Sequence, residues 1–174
     1  MKAIIHILSL TTIMFGTESG LLAQTTSING TASALLITPI TIVKNVDMSF
    51  GNLAVSSTTS GTVILTPSSA RTTGGSGGVT LPATTGTVSA ADFTVSGQAG
   101  YTYAITLPTS ATLNDGSGHT MTVNTFVSAP VSTGTLSGGG TEDLAVGATL
   151  NVTAGQVPGM YTNASAVPVT VNYN

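Results

Sequence analysis

The sequence predicts an all-β protein folded as one antiparallel β-sandwich. Three observations carry this. Short runs rich in Val, Ile and Thr recur about every 8 to 12 residues between Gly-rich turns, the spacing of sandwich strands. No window carries the i, i+3, i+4, i+7 spacing of a capped amphipathic helix. Only 5% of the 174 residues are charged while 41% are hydrophobic. Salt-bridged helix faces cannot be built from that composition, whereas β-branched side chains suit a pleated surface.

Strand signals follow in order. Ser27 to Ile37 alternates, with Ile28, Gly30, Ala32, Ala34 and Leu36 on one face, the two-residue period of a strand. Beyond Pro39, Ile40 to Val43 reads as a second short strand, and Met48, Phe50 and Gly51 enter a turn. Gly61 to Thr66 is a strand, Arg71 to Gly78 (RTTGGSGG) a flexible loop, and Gly78 to Leu81 a brief strand. Ala91 to Ser96 places Phe93 and Val95 inward; Tyr101 to Leu107 places Tyr101, Tyr103, Ile105 and Leu107 in phase. The turn between them reads as a hairpin. Ala111 to Leu113 and His119 to Val127 flank a turn, NDGSG. In the second run Met121, Val123 and Phe126 or Val127 point inward only if a bulge absorbs one residue. Gly138 to Gly140 is a loop, and Leu144 to Val152 is one strand or two. In the last strand Val167, Val169, Val171 and Tyr173 alternate with Pro168, Thr170 and Asn172. Proline there predicts an edge or a gap in pairing.

The start of the chain reads as an export signal. Met1-Lys2 is followed by the apolar run Ala3 to Phe15, polar Thr17 to Ser19, and Leu21-Leu22-Ala23 as a cleavage site. The expected division is a signal peptide over 1–23 and one sandwich domain over 24–174. His6 falls in the removed segment. The protein is expected in the periplasm, at the cell surface or in an extracellular fibre. There is no cysteine, so no disulfide, thiolate metal site or lipid-modified Cys is available. The domain must be held by backbone ladders and apolar packing.

The charge pattern excludes some functions. Beyond Lys2 only Lys44 and Arg71 are positive, too few for a nucleic-acid surface. His119 is the single histidine after the signal and reads as a strand residue beside a turn, without a partner for acid–base work. Asn114 to Gly118 lacks the repeated acids and closing Glu of a calcium loop and reads as a hairpin turn. Glu142-Asp143 reads as a solvated loop. The Gly-rich segments at 74–78 and 138–140 precede no Lys-Ser/Thr and no helix, so they are not phosphate cradles. Asn-x-Ser/Thr occurs at Asn29, Asn151 and Asn163, a chance match in so Ser/Thr-rich a chain unless it enters a glycosylating pathway. No catalytic residue, cofactor, metal or small-molecule substrate is expected, and the chain is not expected to be an enzyme.

Residues 27–53 and 159–174 carry a family likeness. The first has an alternating strand with Gly30 near its start, then a short strand, then Met48-Ser49-Phe50-Gly51. The second has a Gly-x-Tyr lead-in and the penultimate Tyr173. Together they resemble chaperone–usher pilins and spore-coat-protein-U-like domains. The whole mature chain looks closer still to a related family of bacterial secreted domains of unknown function, DUF4402, and the resemblance spans almost all of it. Its landmarks are Thr38-Pro39-Ile40-Thr41-Ile42, Phe50-Gly51, Phe93 to Gly97, Tyr103 to Pro108 and Val169 to Tyr173.

The resemblance implies an immunoglobulin-like sandwich left incomplete and completed by strand exchange. Ile28, Gly30, Ala32, Ala34 and Leu36 would be the inserting face, with Gly30 where a donor strand needs no side chain. Val167, Val169, Val171 and Tyr173 would line the acceptor. Partners would be copies of the chain or related subunits, with a periplasmic chaperone. The chain departs from many pilins in having no disulfide. If residues 27–37 instead form the first strand of their own sandwich, only Gln24 to Thr26 of the mature chain precede them, too few to donate. Two functions therefore stand: a structural subunit of a surface fibre or adhesive layer, and a self-complete module binding a glycan or surface protein through Arg71–Gly78 or Gly138–Asp143. The absence of aromatics from those loops disfavours a glycan.

Overall fold

The structure, a computed structural model, describes residues 25–174. The signal-peptide reading over 1–23 and its His6 lie outside the described residues. Two units are distinguished, divided between Leu35 and Leu36. Residues 25–35 contain no strand and are exposed.

The second unit is an all-β antiparallel sandwich. Its strands are β1 (Thr41–Val46), β2 (Ala54–Val55), β3 (Gly61–Leu65), β4 (Arg71–Gly74), β5 (Val79–Thr80), β6 (Ala91–Ser96), β7 (Thr102–Thr106), β8 (Ser110–Asn114), β9 (Thr120–Ala129), β10 (Thr133–Thr135), β11 (Thr141–Val152) and β12 (Thr170–Tyr173). Seven of them form a large sheet in the order β1-β6-β11-β3-β4, with β9 on the other flank of β11 and β8 beyond it. A second sheet has the order β10-β7-β12, and β2 pairs with β5.

β11 organises the large sheet. Its first half, Thr141 to Val146, pairs with β6, and its second half, Ala148 to Val152, pairs with β3. β9 runs along the opposite flank from Ala145 to Asn151. The change of neighbour falls at Gly147. A Cβ there would lie 2.2 Å from the Leu65 carbonyl oxygen and 2.9 Å from the Pro67 nitrogen. Only glycine lets the β3–β4 turn approach so closely. The inner face of β11, Leu144, Val146, Ala148, Leu150 and Val152, is buried throughout. Full burial of a Val or Leu side chain contributes about 1.5–3 kcal/mol.

Two apolar clusters share that face. One joins Val63, Leu65, Val79, Met121, Val123, Leu150 and Phe50. The other joins Phe93, Val95, Tyr103, Leu136, Leu144, Val146 and Val171, and so packs the second sheet onto the first. Met48 and Phe126 touch both. Phe126 gets there through the expected bulge. Pairing with β11 slips between Gly147 and Thr149, and Thr125 takes a positive φ of 50°. Phe126 is thereby turned inward while Val127 is 44% exposed.

Several local expectations are corrected. Ser27 to Ile37 forms no strand; alternation sets which faces a strand would show, but a strand also needs a partner for its backbone groups. Residues 91–96 and 101–107 are strands but not a hairpin. β6 already has β1 and β11 on its two edges, so β7 crosses to the other sheet and meets β6 through the core. Arg71 to Gly74 is strand β4 paired with β3, and only Gly75 to Gly77, two of them at positive φ, make the turn. Glu142 and Asp143 lie within β11 rather than in a loop. Pro168 precedes β12 instead of lying within it, as its missing N–H requires.

Substituting Gly147 tests the junction. Gly147→Val should lower stability by about 1–3 kcal/mol or more, read as a lower urea midpoint with an unchanged slope. A midpoint equal to that of the parent would show that the Leu65–Pro67 turn does not constrain β11.

Candidate functional site

β12 is four residues long and, among the described residues, pairs with β7 alone, Thr170 opposite Thr106 through Tyr173 opposite Tyr103. It forms one edge of the second sheet. The expected alternation holds beyond the strand itself. Val171 is buried, Val167, Val169 and Tyr173 are half-buried, and Pro168, Thr170 and Asn172 are exposed. The structure brings Val167, Val169, Val171 and Tyr173 together on one cluster, with Ile40, Ile42, Ile105 and Leu107 packed partly exposed beside them. This apolar margin is long and carries no charged side chain.

Tyr173 anchors the end of the strand. The Gln98 backbone N–H donates to its hydroxyl at 2.6 Å, and the hydroxyl donates to the Thr38 carbonyl at 2.8 Å. Gln98 Oε1 in turn accepts from the Thr38 N–H at 3.3 Å. Space for the hydroxyl comes from Gly97, where a Cβ would stand 2.2 Å from it. The Tyr101 ring meets Tyr173 edge-on, with centroids 5.7 Å apart, an arrangement favoured by the aromatic quadrupole. Sequence reasoning named Tyr173 but not Gln98 or the role of Gly97. A glycine directly after a strand was the available signal, and it is a weak one.

Four of the five candidate inserting residues, Ile28, Gly30, Ala32 and Ala34, lie in the first unit, and Leu36 begins the second. Ile28 is 98% exposed and Leu36, at the boundary, 91%. Gly30, Ala32 and Ala34 are exposed as well. A Cβ on Gly30 would meet no atom within 4 Å.

Two polar arrangements complete the chemistry. Tyr103 is fully buried, and neither its hydroxyl nor Glu142 Oε2, buried beside it, makes a hydrogen bond among the described residues. Gly134 roofs the pair: a Cβ there would lie 2.4 Å from both oxygens. Burial first, and then the Glu142 carboxylate, push the Tyr103 phenol well above its ordinary 10.0. At the β8–β9 turn, Asp115 accepts from the Ser117 and His119 N–H groups at 2.8 and 3.0 Å, and its Oδ2 lies 2.6 Å from His119 Nδ1. The His119 contact is the main cause holding this carboxyl below its usual range. Histidine and aspartate are thus bound to each other in closing a turn. Among the described residues no three His, Cys, Asp or Glu side chains gather to hold a metal. Among the described residues the outer edge of β12 carries unpaired backbone groups above apolar side chains, the kind of edge to which an extended chain can add.

Two measurements probe these anchors. Tyr173→Phe strips the Gln98 N–H of its acceptor and should cost about 1–3 kcal/mol, seen in chemical denaturation; an unchanged midpoint would make the bridge to Thr38 energetically idle. The Tyr103 proton is held more tightly in the folded state than in the unfolded one. Its contribution is therefore complete below pH 10.0 and is lost as pH rises above that value. Tyr103→Phe should flatten that alkaline fall in Tm, and an identical fall in both proteins would contradict the assignment.

No curated protein and no solved structure matches the chain. A family model described as "Domain of unknown function (DUF4402)" matches residues 40–173, from the residue before β1 to the last residue of β12. The chain therefore belongs to the DUF4402 family.

Proposed function

We propose that the protein is an exported structural subunit, pilin-like in its immunoglobulin-like sandwich, which assembles into a surface fibre or adhesive layer by strand exchange. The observation that carries this reading is the coexistence of two unsatisfied elements. One is the Ser27–Leu36 segment, apolar on alternate positions, exposed and outside any strand. The other is β12, paired on one edge only, with Val167, Val169 and Tyr173 partly open beside it. An extended segment with unpaired backbone groups gains most by adding to a sheet edge, where main-chain hydrogen bonds give affinity and alternate side chains give register. Glycine at position 30 has no steric reason within its own surroundings; a closely apposed strand would supply one. The partner is a second copy or a related subunit, and a periplasmic chaperone would cover the margin before assembly. The scarcity of acid–base groups away from the Asp115–His119 turn supports a role in shape rather than in catalysis.

Exported protein should form concentration-dependent multimers in analytical ultracentrifugation. Ile28→Asp with Leu36→Asp should abolish them while leaving the Tm of the sandwich unchanged. A strictly monomeric parent protein that unfolds cooperatively at every concentration would exclude strand exchange.

A further inference from the structure

Asn29–Gly30 is the one place in the chain where glycine follows an asparagine. Both residues are exposed and lie outside any strand. A Cβ on Gly30 would meet no atom within 4 Å, so nothing crowds this peptide. The step holds an electrophile and a nucleophile side by side: the Asn29 side-chain carbonyl carbon, Cγ, and the Gly30 peptide nitrogen. Their bond closes a cyclic imide. Glycine has no side chain to hinder the attacking nitrogen, and it leaves the backbone free to turn toward Cγ. Other asparagines are protected. Asn45, Asn52, Asn151 and Asn163 precede Val, Leu, Val and Ala. Their side-chain amides donate to Asp92 and to the Thr84, Thr122 and Thr112 carbonyls. Asp115–Gly116 could close the same ring, but its carboxylate accepts from the Ser117 and His119 N–H groups. The His119 contact holds this carboxyl below its usual range, so it stays ionised, and an ionised carboxylate is a poor electrophile.

We infer that Asn29 is a site of spontaneous self-modification, and that the reaction withdraws unassembled subunits from assembly. The deprotonated Gly30 nitrogen attacks Asn29 Cγ. The bond from Cγ to the side-chain nitrogen breaks, and that nitrogen takes up a proton and leaves as ammonia. Water then opens the imide at either carbonyl, giving aspartate or isoaspartate. An amide and a water become a carboxylate and an ammonium ion, with no oxidant or reductant. The consequence for assembly rests on the strand-exchange reading. Isoaspartate lengthens the main chain by one carbon and turns the former main-chain carbonyl into a free carboxylate. The residues after it lose their register against a partner ladder, which takes Ala32, Ala34 and Leu36 off the inserting face. Ordinary aspartate does not, because position 29 alternates to the face opposite Ile28 and Gly30. Once the segment is paired, extended dihedrals with ψ of about +135° hold Cγ away from the next nitrogen. Assembled subunits are preserved while free ones age.

Ageing the exported protein in dilute solution, at neutral and at mildly alkaline pH, tests the inference by peptide mapping with mass spectrometry and by isoaspartyl methyltransferase labelling. The peptide containing Asn29 should gain the mass of an amide-to-acid exchange. Its rate should rise about tenfold per pH unit, as does the deprotonated fraction of a group far below its pKa. Gly30→Val and Asn29→Gln should each suppress the exchange, and Asp115 should stay unlabelled. Multimers separated by sedimentation should keep Asn29 intact. Aged protein should lose multimer formation in proportion to its isoaspartate content, whereas fresh Asn29→Asp protein should assemble like the parent. An Asn29 unchanged after alkaline ageing would overturn the inference. So would equal conversion in multimers and monomers, or undiminished assembly of the aged protein. Conversion at Asn29 in a protein that stays monomeric at every concentration would establish the modification site and refute strand exchange instead.

Discussion

β11 is hydrogen-bonded on both flanks along much of its length, and both apolar clusters rest on its inner face. This double commitment is the constraint on which the remaining structure depends. A twelve-residue strand can serve two different neighbours in succession only if the chain between them is allowed in close, and Gly147 permits that approach. The slip in β9 on the other flank then turns Phe126 inward to touch both clusters. With no disulfide and almost no ion pairs available, cohesion rests on these ladders and on packing. Lys44–Asp47 is an exposed pair of a kind that contributes little.

The fold class was legible because strand-period patterning and turn chemistry agree along most of the chain. Phe93 and Val95, an irregularity within His119 to Val127, and the Val167-to-Tyr173 alternation are all local signals, although the sequence leaves open which of Phe126 and Val127 turns inward. Pairing was less legible. The Gly97–Tyr101 turn resembles a hairpin because local sequence does not reveal that β6 has both edges filled by β1 and β11, strands far away in the chain. Arg71 to Gly74 resembles loop because it opens the segment Arg71–Gly78, in which four of eight residues are glycine; four residues opposite β3 are enough for a strand. Glu142 was placed with solvent because carboxylates usually belong there. Its burial beside Tyr103 becomes visible only once two sheets are stacked.

The candidate site was partly legible for the same reason. Alternation identified the residues of β12 that face the core, but alternation at Ser27 to Ile37 did not produce a strand. The first set has β7 beside it and the second has no ladder of its own. A pattern of faces says what a segment would present to a partner, and the partner itself must come from topology.

Tyr173 links the two ends of the sandwich through one oxygen atom. Its hydroxyl meets Thr38 just before β1 and Gln98 just after β6, while its backbone belongs to the last strand. A mechanical pull on the chain ahead of Thr38 would therefore load this bridge and the β1–β6 ladder before it disturbed the hydrophobic interior. The termini of the sandwich share one clamp, and tension entering at one is passed sideways to the other across the surface of the domain.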